Sequence, residues 1–178
     1  AEHFYPAEFI HHLFFVLAMQ LSAGSEELRD LLRFMVDDIK RAPRLQGDKI
    51  LWVHLMPYYQ QSLKAAFDYS PAHQIVAVDM AFCTMSDLAD ADPFRALAKK
   101  LVGNAMNGPY ERKLALVDRL LDATHADGVI HFCHWGCKQS SGGSALLREH
   151  LHEAGVPLLQ LDGDGIDERN SHDGQIKT

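Results

Sequence analysis

Cysteine is scarce in this chain: Cys83, Cys133 and Cys137 are the only three. An odd, sparse set excludes a secreted disulfide framework and fits a reducing compartment, with thiols free for metal or redox work. Long apolar runs are also missing. The most apolar stretch, residues 9–21, contains His11, His12 and Gln20 and is too short to span a bilayer. It lacks the basic run that opens a signal peptide, since Glu2 and Glu8 precede it. Positive charge is short as well. Lys and Arg total 17 against 24 Asp and Glu, and the net charge of −7 leaves no basic stripe for a phosphate backbone. These shortfalls predict a cytoplasmic protein with neither a nucleic acid nor a membrane as partner. Glycine (12) and proline (7) are too few among 178 residues for a collagen-like or low-complexity chain, and no internal repeat is visible.

Apolar residues make up 47% of the chain, enough to bury a real core. Residues 1–46 read as a helical segment. Phe9, Leu13, Val16 and Leu17 recur at helical spacing within an apolar surround. Ser25 is a good N-cap, with Glu26 and Glu27 in the first turn. Leu28, Leu31, Leu32, Met35 and Ile39 then form a stripe. The character changes at residues 47–178. Short apolar runs at 49–55, 74–79, 129–132 and 156–161 predict buried strands, and helical patterns lie between them at 59–69, 93–102, 110–125 and 144–153. Asp92 and Pro93 open one of these helices as N-cap and first residue. Gly155 ends the last. Leu114, Val117, Leu120 and Leu121 are the expected inward positions of the 110–125 helix. Such alternation predicts an α/β fold: an open parallel sheet of Rossmann or flavodoxin type flanked by helices, with a helical N-terminal segment.

Ligands of open α/β sheets gather beyond the carboxyl ends of the strands. Three polar clusters fall there. Asp79 to Cys83 follows the second strand, Cys133 to Ser144 the third, and Asp162 to Asp167 the fourth. The middle cluster is the most informative, because two thiols and two imidazoles (His131 and His134) lie within seven residues. Thiolates are soft ligands for zinc, copper(I) or iron–sulfur clusters. The Cys-x3-Cys spacing of Cys133 and Cys137 has no second pair, which argues against a closed zinc site. One or both thiols can equally be small buried hydrophobes. The Gly142-Gly143 loop lacks the Walker order, since Lys138 precedes the glycines; it is either an anion cradle or a helix cap needing small residues. In the acidic cluster, Gly165 stands fourth where a calcium loop needs it sixth, so a solvated turn is the better reading.

The run His134-Trp135-Gly136-Cys137-Lys138-Gln139 is followed by serines and glycines, a helix, Gly155-Val156-Pro157, Leu161-Asp162-Gly163-Asp164 and Asp167-Glu168-Arg169-Asn170. It resembles the 2-hydroxyacyl-CoA dehydratase family, which includes benzoyl-CoA reductase subunits. Asp92-Pro93-Phe94, Gly108-Pro109, Arg112 and Asp127-Gly128-Val129-Ile130 extend the likeness upstream. The resemblance implies an oxygen-sensitive enzyme of two related subunits. In that family three cysteines of each subunit hold a [4Fe–4S] cluster, and an ATP-dependent activator protein supplies one electron. The acyl-CoA substrate is reduced to a radical and loses water, or an aromatic ring is reduced in the relatives. Cys137 takes the place of the family's C-terminal-lobe ligand; Cys133 ranks second, and Cys83 receives no ligand role. The chemistry of such a cluster then suggests roles for the loop. The N–H groups of 140–144, those of Gly142 and Gly143 among them, and the Ser141 hydroxyl are expected to bond cluster sulfurs or the substrate carbonyl, while His134 and His131 are candidates for handling protons.

The family's N-terminal lobe is absent from these residues. The polar stretch 162–178 resembles the approach to a final helix. The chain is therefore expected to be part of a longer subunit. Two other functions stay open: a cluster-carrying electron-transfer or reductase relative, and a catalytically incomplete lobe serving assembly only.

Overall fold

The computed structural model describes residues 3–19, 25–83, 91–170 and 173–174. Four strands form one parallel sheet: β1 (Asp48–Val53), β2 (His73–Val78), β3 (Gly128–His134) and β4 (Leu158–Gly163). Their order is β2-β1-β3-β4. The chain thus steps from β1 to one side, then returns to build on the other. The crevice between the carboxyl ends of β1 and β3 is the switch point, the usual ligand position in open α/β sheets.

Eight helices are described: α1 (Ala7–Met19), α2 (Glu26–Arg41), α3 (Gln61–Phe67), α4 (Asp79–Cys83), α5 (Pro93–Gly103), α6 (Glu111–Thr124), α7 (Lys138–Ser141) and α8 (Ser144–Glu153). A short 3-10 turn covers Glu168–Asn170. Alternation along the strands divides the core in two. One face carries Trp52, Ile75, Ile130 and Phe132 against Ile10 of α1 and Leu63 and Phe67 of α3. The other carries Leu51, Val53, Ala77 and Val129 against Leu116, Val117 and Leu120 of α6 and Leu147 and Leu151 of α8. Each fully buried Leu, Val or Phe contributes about 1.5–3 kcal/mol of transfer free energy. The two apolar layers therefore hold the sheet.

The sequence-predicted strands all form, shifted by one or two residues. The helix starts follow the expected caps. Ser25 accepts a hydrogen bond from the Leu28 N–H at 3.1 Å. Asp92 Oδ1 accepts from the Phe94 N–H at 2.9 Å, ahead of Pro93. Gly155 takes a φ of +70° just past the end of α8, as a helix-ending glycine does. The stripe on α2 differs from a core stripe: no residue of α2 is buried, and Leu31 is 46% exposed. On α6 the buried set is Lys113, Leu116, Val117 and Leu120, while Leu114 and Leu121 only pack partly against the core.

Candidate functional site

β1 ends at Val53 and the chain turns at His54, which has a φ of +79°, rare for a residue with a side chain. The Asp79 carboxylate helps hold that turn, its Oδ1 accepting from the His54 N–H at 2.7 Å. Asp79 begins α4 directly after β2 and is fully buried. Its other oxygen lies 3.4 Å from Nζ of Lys113, also fully buried, on α6. A lone charge of either sign would be costly here; the pair makes both tolerable.

His131 projects from β3 and is fully buried. Its Nε2 lies 3.3 Å from the Ser140 hydroxyl. Ser140 Oγ also donates to the Phe132 carbonyl at 2.8 Å and accepts from the His134 N–H at 3.1 Å. A hydroxyl has one donor and two acceptor positions. With the donor taken by Phe132, Ser140 accepts from His131, so the proton of that ring sits on Nε2. Burial, then the Lys113 charge, pushes His131 down to about 4 and His54 down to about 3. Both rings are neutral near neutral pH.

His134 stands at the mouth of the switch point. Its ring stacks 6.1 Å from that of His54. Its Nδ1 accepts the Gly165 N–H at 3.1 Å, so the ring proton sits on Nε2. In this state His134 donates but does not accept.

Cys137 sits between β3 and α7 and is partly exposed. The turn around it is tightly bonded. The Cys137 N–H donates to the His134 carbonyl at 3.1 Å, and the Ser140 and Ser141 N–H groups both reach the Cys137 carbonyl at 3.0 Å. Cys133 is different. It is buried, and burial followed by a hydrogen bond with Asp162 pushes its thiol up to about 11. At neutral pH it is a protonated core thiol. Cys83 closes α4; its side chain lies outside the described residues.

The glycine-serine loop is ordered rather than open. The Ser141 hydroxyl donates to the Cys137 carbonyl at 3.1 Å. The Gly142 N–H is engaged by Lys138 O at 2.8 Å. Gly143 caps α8, and a Cβ there would stand 1.9 Å from the Tyr110 ring, so only glycine admits that close approach. A Cβ at Gly142 would stand 2.6 Å from the Lys138 carbonyl oxygen, so glycine is favoured there too.

The structure thus gathers His131, His134, Cys137 and the loop 140–144 at one crevice. It adds His54, Lys113, Tyr110 and Ser140, which the motifs did not single out. One signal was available for Lys113. The spacing of Leu116, Val117 and Leu120 projects back one turn onto position 113.

An open parallel α/β sheet with a cysteine-bearing turn beside its switch point defines an α/β domain of the class that takes ligands at that point. Comparison with known families makes it specific. The sequence profile of the 2-hydroxyglutaryl-CoA dehydratase, D-component, family matches residues 4–178, and the chain belongs to that family. The match extends well upstream of the motifs at 92–178. It makes the chain a 2-hydroxyacyl-CoA dehydratase component, which works beside a partner subunit and on a substrate. No curated protein matches the chain. No described helix is long and apolar enough to cross a membrane.

Proposed function

We propose that this chain forms part of an iron–sulfur, radical-type 2-hydroxyacyl-CoA dehydratase that removes water from an acyl-CoA thioester. The observation that supports this best is the position of Cys137. It lies partly exposed on a bonded turn beside the switch-point crevice, in a chain whose family match spans residues 4–178.

The donor set fits a [4Fe–4S] cluster at one corner. Cys137 is accessible and would give one thiolate. Cys133 is a poor second, because its thiol is held protonated by burial. No group of three or more His, Cys, Asp or Glu side chains around a common point occurs among the described residues. The remaining thiolates are assigned to parts of the subunit outside these residues. When bound, such a cluster would supply one-electron reduction and Lewis-acid polarisation of the substrate.

The chain's own residues do the rest. His134 carries its ring proton on Nε2, a donor suited to a carbonyl or hydroxyl oxygen that gains negative charge. It does not serve as a base in this tautomer. His54 and His131, neutral and buried, line the floor without adding charge. Ser141 has its hydroxyl engaged by the Cys137 carbonyl, so its contribution is to the turn. A second homologous subunit would share the acyl-CoA pocket, and an ATP-dependent activator would donate the electron.

The test is anaerobic reconstitution of the full subunit with its partner, iron and sulfide. Visible charge-transfer absorption that depends on Cys137 is expected, with acyl-CoA binding to the loaded complex. Full iron retention in Cys137→Ser would overturn the assignment. A cluster without acyl-CoA binding would favour an electron-transfer relative, and no cluster at all an assembly role.

A further inference from the structure

Buried polar atoms without partners are rare in folded proteins, and each calls for a cause. Here five of them concern one small group of residues: His54 Nδ1, Asp79 Oδ2, Tyr110 Oη, Lys113 Nζ and His131 Nδ1. Each lacks a hydrogen-bond partner among the described residues. They share a neighbourhood. Lys113 Nζ stands 3.4 Å from Asp79 Oδ2 and 5.9 Å from the centre of the Tyr110 ring. The Lys113 charge acts on both His54 and His131, and Asp79 acts on Tyr110.

The chemistry of the five atoms is complementary. An ammonium has three donors. Asp79 Oδ2 is an acceptor slightly beyond good hydrogen-bond length. His131 Nδ1 is a bare lone pair, because the ring proton is on Nε2. His54 Nδ1 and the Tyr110 hydroxyl complete the set. Water is the molecule that joins buried donors and acceptors that do not reach one another directly, typically through about three hydrogen bonds.

We propose that these five atoms enclose a site for bound water centred on the Lys113 ammonium, and that Lys113 acts through it as a positioning residue for the Cys137 turn. The path is continuous. Water-linked Lys113 donates towards His131 Nδ1 and keeps the ring proton on Nε2. That proton is donated to Ser140 Oγ, whose own proton goes to Phe132 O and which receives the His134 N–H. The Ser140 N–H then closes on the Cys137 carbonyl. Lys113 therefore sets the tautomer of a ring that it does not bond directly, and that tautomer orients the serine under the cysteine. Its relevance to catalysis rests on the role proposed for Cys137; its test does not.

The experiment uses the iron-free full subunit with its partner. Nitrogen-15 NMR of the histidine rings should report His131 as the Nε2–H tautomer in the native protein. In Lys113→Met the ring should become a tautomer mixture. Alkylation of Cys137 should then quicken by roughly 5- to 10-fold, the effect of losing one or two hydrogen bonds from its turn. If removing one charge prevents folding, Asp79→Asn/Lys113→Met removes both and is read in the same way. An atomic-resolution crystal structure should show ordered water between Lys113 Nζ and His131 Nδ1. An unchanged tautomer and alkylation rate in the folded variant, or a dry interior in the crystal, overturns the proposal. Retained iron in Cys137→Ser would sink the cluster assignment while leaving the His131 readout intact, so the two failures are distinguishable.

Discussion

Lys113 of α6 and Asp79 of α4 face each other at 3.4 Å, with both side chains fully shielded from solvent. The pair bridges the end of β2 and the helix that leads into β3. It draws the two sides of the switch point together at the level where His54 and His131 lie.

Removing one charge of that pair should be far worse than removing both. Lys113→Met leaves a buried carboxylate uncompensated and should cost about 3–5 kcal/mol. Asp79→Asn/Lys113→Met should recover much of that loss. Urea unfolding of the single and double variants measures both values, and additive effects would show that the charges act independently.

Acid should destabilise the fold through its buried imidazoles. His54 and His131 have folded-state pKa values lowered to about 3 and about 4 from an ordinary 6.5. Below about pH 6.5 the unfolded chain binds protons that the folded chain refuses. Stability should therefore fall as pH drops from about 6.5 towards 4, by up to about 1.4 kcal/mol per unit for each ring. Thermal melts between pH 7.5 and 4.5 in His131→Asn should show a shallower slope than in the native protein; an equal slope would remove His131 from this account.

The two thiols beside the crevice should differ sharply in reactivity. With a pKa of about 11, Cys133 is ionised in only about one molecule in a thousand at pH 8. Iodoacetamide should label Cys137 first in the native iron-free protein, and both should react in denaturant. Peptide mass spectrometry distinguishes them, and equal native rates would contradict the burial of Cys133.

Gly143→Ala should destabilise the loop beside Cys137. The added methyl would stand 1.9 Å from the Tyr110 ring, so the ring or the loop must shift. A loss of about 1–3 kcal/mol is expected, as for other overpacked sites. Combining it with Tyr110→Ala should relieve the clash, which a double-mutant cycle measures directly.

Much of the fold was legible because its signals are local. Ser25 and Asp92 mark their helices through side-chain oxygens, and the strand runs are apolar because both faces of a parallel sheet are covered. The ligand side of the sheet, beyond the strands' carboxyl ends, was legible too, but the order β2-β1-β3-β4 that fixes the switch point arises only from strand pairing. Lys113 was not, because a charged residue is assigned to solvent unless its partner is known. Its partner, Asp79, lies 34 positions earlier and meets it only after the sheet has formed. Ser140 and Ser141 carry the same signal in the sequence. Both are serines in one loop, and only packing separates the buried hydroxyl from the exposed one. The stripe on α2 follows helical periodicity, yet periodicity carries no information about how fully a neighbour covers it.

The contact between Tyr110 and Gly143 fastens the cap of α8 to the residue that leads into α6, the helix carrying Lys113. The two segments cannot slide past each other without losing it. Any rearrangement of the glycine-serine loop on meeting a ligand must carry the start of α6 along. Tyr110 and Gly143, 33 positions apart along the chain, thus move as one joined unit.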